Sequence, residues 1–311
     1  MYAIQPPAIN TNKILEASIL RTLAWFDLFR YPITANELLY FLDRPATPDA
    51  LKKSLTQLQA SRQVYMLGGF YALHNDPALV IRRRKGNEKA TRMLRKAYRI
   101  GRLLYCFPFV RAVCISGSLS KCFADEQADI DFFIVTSANR LWIARTAMHV
   151  LKKLSYCWGG QHSFCMNFYI DEQALEIPEQ NYFTAIEMIT LLPVCGEATT
   201  NNMMAANSWI QQYFPAARNK EAFYTNNQRV DQLKHGIEWL IDRLPGAARL
   251  DDYLMRITAS RWQEKEAAGL TNMRGGKMAL LTAKHFSKPN PRYFQVEILE
   301  RYRRKLEMVL K

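Results

Sequence analysis

The stretch that decides the fold is Ile115–Val135, ISGSLSKCFADEQADIDFFIV. An apolar run ends in Gly117-Ser118, and two aspartates, Asp129 and Asp131, lead into Phe132, Phe133, Ile134 and Val135. Val110–Ser116 reads as one strand and Asp129–Thr136 as the next, with a short helix from Ser118 to about Phe123 between them. Carboxylates at the mouth of a buried strand cost free energy unless a cation meets them. Strand side chains alternate faces, so Asp129 and Asp131 project on one side. That spacing suits a hard divalent cation, Mg²⁺ or Mn²⁺, which takes oxygen ligands and keeps waters for substrate phosphates. Gly117 permits close backbone approach, and a helix starting at Ser118 would offer free N–H groups to phosphate.

Working outward, Asn139–Tyr156 has the apolar spacing of a helix, with Leu141, Ala144, Met148 and Leu151 inward, and Phe164–Ile170 reads as a third strand. Residues 107–205 are therefore expected to form a compact α/β core with a small mixed sheet. Trp142 is a core residue or a platform for a base, and His149 packs or faces solvent.

Upstream, residues 1–78 read as a separate unit. A helix spans about Ile14–Arg30, and Thr34-Ala35-Asn36-Glu37 is a capping box opening a second helix that ends near Leu42. Thr47-Pro48 starts a third helix, with Leu51, Leu55 and Leu58 on one face and Lys52 and Lys53 on another. Val64–Leu67, Gly68-Gly69 and Phe70–Leu73 read as a hairpin. Three helices and a hairpin resemble a winged helix-turn-helix domain, in which the third helix can enter the major groove. Residues 79–106 form a basic connecting helix, carrying ten Lys and Arg against Glu88 alone between Arg82 and Arg102. Arg92, Arg95, Lys96 and Arg99 mark a face suited to tracking phosphates. Residues 206–311 are expected to be a C-terminal helical region. The whole is an α+β chain.

Bulk properties agree. The 311 residues are 49% hydrophobic, ample for buried cores, and carry a formal net charge of +14 with a pI near 9.5, which points to a polyanionic partner. Six cysteines without a Cys-x-x-Cys pair fit reduced thiols. No signal peptide and no apolar run of spanning length is read, so a cytoplasmic protein is expected.

The sequence Gly117-Ser118, ten residues, Asp129-Ile130-Asp131 resembles the signature of the polymerase-beta-like nucleotidyltransferases: an apolar residue, G-[GS], about nine to thirteen residues, then D-x-[DE]. The resemblance covers the core of about a hundred residues. It implies that Asp129 and Asp131 bind the metal ions while Gly117, Ser118 and Lys121 hold the triphosphate of an NTP, with ATP the leading donor. NMP would pass to an acceptor hydroxyl or phosphate, releasing pyrophosphate. Cys122 stands where a glycine is common. The family's third carboxylate falls at Asn167, so that ligand is either displaced to Asp171 (or Glu172) or absent. An alternative follows: a winged-helix nucleic-acid-binding regulator with a catalytically silent, nucleotide-sensing core. A third reading is an interaction protein working with a partner.

Overall fold

The computed structural model describes residues 11–155, 164–216, 218, 220–224, 228–270, 280–289 and 292–311. Cys157 and His162 lie outside them. The chain is α+β, and its described residues form two compact units.

Among the described residues, the first unit comprises 11–85, 209–216, 218 and 296–311. Three helices, α1 (Thr11–Asp27), α2 (Ala35–Phe41) and α3 (Pro48–Ala60), precede a hairpin of β1 (Tyr65–Leu67) and β2 (Phe70–Ala72). The capping box is formed: Thr34 Oγ1 accepts from the Glu37 N–H at 3.2 Å and Glu37 Oε2 accepts from the Thr34 N–H at 2.8 Å. Thr47 caps α3 with proline in its first turn. Ile19, Leu23, Leu38, Leu55 and Leu58 are buried, and the edge of Trp25 packs on Tyr302 from the chain's last helix. Arg83 is almost fully buried, donating to Pro32 O and to Glu37 at 2.7 and 2.6 Å.

The second unit comprises the described residues between 86 and 208 and between 220 and 295. Its sheet contains β3 (Val110–Ser116), β4 (Asp131–Thr136), β5 (Cys165–Asp171), β6 (Leu192–Cys195), β7 (Leu280–Ala283) and β8 (Phe286–Pro289), in the order β6-β3-β4-β5-β8-β7. Only β4 and β5 run parallel; the other neighbours are antiparallel. The β4–β5 connection is α5 (Leu141–Ser155), the crossover a parallel pair requires. Phe132, Ile134, Met166 and Tyr169 pack in one buried cluster with Ala90, Ala97 and Leu104 of α4 (Pro77–Tyr105) and with Leu141, Trp142 and Met148 of α5. The unit is completed by α6 (Tyr182–Thr190), α7 (Glu197–Ala206), α8 (Gln228–Asp242), α9 (Ala247–Ala267) and the start of α10 (Arg292–Val309).

Three expectations change. The division expected at residue 206 is not observed, because residues 280–289 add a hairpin to the sheet beside β5, while 209–218 and 296–311 belong to the first unit. Short strands with Lys284 at the turn and Lys288 and Pro289 at the end of β8 hide this hairpin from a reading by local pattern. Likewise β6, four residues around Pro193, is too short to read as a strand unaided. Finally, the boundary between the units falls within α4 after Lys85, so 79–106 is one long helix divided between them.

Candidate functional site

Antiparallel pairing of β3 with β4 sets Ser116 opposite Asp131, so Gly117 follows directly across from the second aspartate. Gly117 has φ +69°, and a Cβ built there would lie 2.6 Å from Asp131 Oδ2. No side chain fits that space, and L-residues resist that backbone region. Ile130 is buried at 1% exposure and fixes the strand entry, leaving Asp129 and Asp131 half-buried on either side. Asp129 precedes the paired strand, which begins at Asp131 rather than at Asp129 as expected. The Cys165 N–H nevertheless donates to Ile130 O at 2.7 Å, so the chain is already held beside β5 there.

The ten-residue connection is held from α4. Lys89 Nζ donates to Asp125 O and Glu126 O at 2.6 and 2.9 Å, and the Ala124 N–H donates to Gly86 O at 3.2 Å. Gly86 meets Phe123 so closely that an added Cβ would lie 2.2 Å from the ring. The helix expected from Ser118 to Phe123 is a single 3-10 turn, Leu119–Lys121, closed by Cys122 at φ 55°. A turn this short carries no helix dipole of use to a phosphate. What it offers is the exposed Ser118 hydroxyl and the backbone beside Gly117. Cys122 holds the left-handed conformation that glycine would adopt without cost. Lys121 is engaged: its Nζ donates to Gly117 O at 3.1 Å and to Glu187 Oε1 of α6 at 2.8 Å.

Neither Asp171 nor Glu172 joins Asp129 and Asp131. The parallel ladder pairs Asp131 with Cys165 and Thr136 with Asp171, placing Asp171 about 17 Å of strand rise away from Asp131. Asp171 is fully buried and accepts from the Asn139 N–H at 2.9 Å, the Gln173 N–H at 3.0 Å and His285 Nδ1 at 2.8 Å. It joins the β4–α5 turn to the β7–β8 turn, a structural task. Glu172 lies 3.9 Å from Arg111 at the same far end. Asn167 falls in the irregular register between the Phe132 and Phe133 pairs; its side chain lies outside the described residues. Among the described residues, no group of three His, Cys, Asp or Glu side chains is placed to hold a metal ion.

Instead, Cys165 and Lys152 stand beside the aspartates. Burial pushes the Cys165 thiol up; Lys152, with Nζ 3.9 Å from Sγ, opposes this, while Asp131 and Asp129 add to it. Both aspartates thus act on one atom of β5. No sequence signal identifies Lys152, because only the crossover helix returns it to β5. Trp142 is fully buried, its Nε1 donating to Ala283 O at 3.1 Å, and is a core residue. His149, with burial and Arg145 holding its pKa down to about 3, is too weak a base to accept a proton near neutrality.

The proposed nucleic-acid residues fall into two groups. Lys52 and Lys53 are exposed on α3 in the first unit, and Arg92, Arg95, Lys96 and Arg99 are exposed on α4 in the second. None of the six forms an ion pair among the described residues. No described helix is long and apolar enough to cross a membrane. The five described cysteines are free. No protein-family model, curated protein or solved structure matches the chain.

Proposed function

We propose that the protein is a metal-dependent nucleotidyltransferase of the polymerase-beta-like kind, transferring NMP, with AMP from ATP as the leading case, to an acceptor hydroxyl or phosphate. The observation that carries the reading is the fit of Gly117 against Asp131: a glycine in left-handed conformation whose missing Cβ leaves room for one carboxylate of an Asp-x-Asp pair. Asp129 and Asp131 would hold Mg²⁺ or Mn²⁺, their oxygen atoms matching the donor preference of these ions. Such ions, when bound, stabilise charge on the attacking and leaving oxygens. Ser118 and the backbone beside Gly117 would orient the triphosphate, and Lys121 reaches it only by leaving Glu187. The acceptor oxygen bonds to the α-phosphorus as the bond to the bridging oxygen breaks, and pyrophosphate leaves. The α4 basic face would gather a polyanionic acceptor. The three helices and hairpin of the first unit are read as a winged helix, with Lys52 and Lys53 toward nucleic acid, in a cytoplasmic protein.

A second reading has its own observation: Cys165, not a carboxylate, faces Asp131 across the ladder. A core of that kind would bind nucleotide without turnover, and the winged helix would make the chain a nucleic-acid-binding regulator. Calorimetric titration with a non-hydrolysable ATP analogue and Mg²⁺, on wild type and on Asp129→Asn/Asp131→Asn, tests both. Metal-dependent binding lost in the double variant supports a nucleotide site, and label passing from α-labelled ATP to an acceptor then separates enzyme from sensor. Absence of binding with all four NTP analogues and with Mn²⁺ would refute both.

A further inference from the structure

Three aromatic rings stand together beside the basic face of α4. Tyr98 and Tyr224 pack against the buried core, and Phe223 stacks on Tyr98 with ring centroids 4.0 Å apart and planes 23° from parallel. Tyr224 meets Phe223 edge-on at 4.8 Å. Phe223 is the outermost of the three: Tyr98 covers one of its faces, yet the residue is 59% exposed. Its backbone is pinned, because the Phe223 and Tyr224 N–H groups donate to Pro193 O and Val194 O of β6 at 3.0 and 2.9 Å. The ring is therefore a fixed platform, and its open surface is apolar area that a ligand can take out of water.

A ligand for this platform must also answer the charges around it. Arg95 and Arg102, three residues before Tyr98 and four after it, share its side of the helix. The Arg102 guanidinium lies 5.1 Å over the Tyr224 ring, within the aromatic group. Arg92, Arg95, Arg99 and Arg102 are exposed and recur every three or four residues, a row about 15 Å long, roughly the rise of four stacked nucleotides. Burial lowers the Lys220 amine to about 8, with Cys122 opposing and Lys121 adding to it, so Lys220 links this surface to the turn beside Gly117. A duplex would answer the charges but keeps its base faces inside the stack, whereas an unpaired base offers a flat π-face with phosphates on either side. We propose that the polyanion drawn to α4 is single-stranded nucleic acid, an unpaired base stacking on Phe223 while Arg95, Arg99 and Arg102 hold neighbouring phosphates. The proposal rests on the reading of α4 as a polyanion-binding face and is independent of transfer at Asp129 and Asp131.

The test uses the full chain and a labelled oligonucleotide of about twelve nucleotides, as single-stranded RNA, as single-stranded DNA and as a DNA duplex, read by fluorescence anisotropy. Polyphosphate, a polyanion without bases, is titrated by calorimetry. Phe223→Ala should weaken binding of the single strand by about tenfold or more while leaving duplex and polyphosphate binding unchanged. Phe223→Leu, which keeps an apolar contact with Tyr98 but removes the ring, should show the same loss, and Phe223→Trp should restore affinity. Arg95→Glu/Arg99→Glu should weaken the single strand and polyphosphate alike. This pattern with either strand supports the proposal, and the tighter of the two identifies RNA or DNA. Unchanged single-strand affinity in Phe223→Ala and Phe223→Leu would overturn it, leaving α4 a general polyanion surface if polyphosphate still binds. Failure of every polyanion to bind would overturn that reading as well. Tighter binding of a peptide of alternating Glu and Phe than of any oligonucleotide would overturn the proposal in favour of a protein partner.

Discussion

Replacing Gly117 by alanine perturbs the site at one atom. Two costs follow. The backbone at φ +69° disfavours an L-residue by roughly 1–2 kcal/mol. The new Cβ would also lie 2.6 Å from Asp131 Oδ2, so the carboxylate must retreat by about 0.8 Å to reach ordinary contact. Gly246, in the same unit, has φ +96° with nothing within 4 Å of an added Cβ, so Gly246→Ala carries the backbone cost alone. Both variants should lose about 2–8 °C of melting temperature, the shift for 1–2 kcal/mol in a unit of this size. Only Gly117→Ala should weaken Mg²⁺-dependent nucleotide binding, by about tenfold or more, and transfer from ATP should fall by about a hundredfold, the cost of a misplacement near 1 Å. Calorimetry and a labelled-ATP assay on both variants read this directly. Wild-type nucleotide affinity in a folded Gly117→Ala would refute the argument that this glycine exists to admit Asp131.

Other perturbations separate structure from chemistry. Asp171→Ala leaves buried donors from Asn139, Gln173 and His285 without their acceptor, and should cost about 3–5 kcal/mol in chemical denaturation, with nucleotide affinity unchanged in the fraction that remains folded. Burial pushes the Glu238 carboxyl up, but hydrogen bonds from Arg111 and the Phe109 N–H outweigh it and hold the pKa below its ordinary value. Its stabilisation is therefore complete above the ordinary carboxylate range and lost as pH falls through the depressed value; Glu238→Gln should flatten the acid limb of stability against pH. For His149, lowered to about 3, the sign is set by the unfolded chain taking up the proton first, so stability falls as pH drops from about 6.5 toward 3. His149→Phe should lessen that loss, read from melting temperatures across the window. Charge reversal at Arg92, Arg95, Lys96 and Arg99 should reduce polyanion affinity and the salt dependence of binding, measured by filter binding at two ionic strengths.

Local rules were sufficient for much of the architecture. The capping box at Thr34, the proline-led start of α3, the Gly68-Gly69 turn and the long basic helix follow from patterns within a few residues, and each forms at or near its expected place. The Gly-Ser…Asp-x-Asp spacing is also legible, but the placement of Gly117 against Asp131 depends on the β3–β4 register, which a connection running from residue 117 to 130 does not fix. Features set by pairing between distant segments could not be read this way. Whether Asp171 joins Asp131 depends on the direction of β5 beside β4, and a parallel ladder sends it to the opposite end. The edge hairpin at 280–289 and the return of Lys152 to Cys165 depend on the same long-range pairing. Helix α8 gives the sharpest case: Leu233 and Leu240 stay exposed, while Glu238 is buried in an ion pair with Arg111 and buried Lys234 donates to the Tyr105 carbonyl oxygen. Sequence by itself determined the local elements and the Gly-Ser…Asp-x-Asp spacing, since both rest on short-range sterics and side-chain alternation. Tertiary structure alone decided which carboxylates meet and which apolar face stays exposed, since both depend on register and charge pairing across segments far apart in the chain.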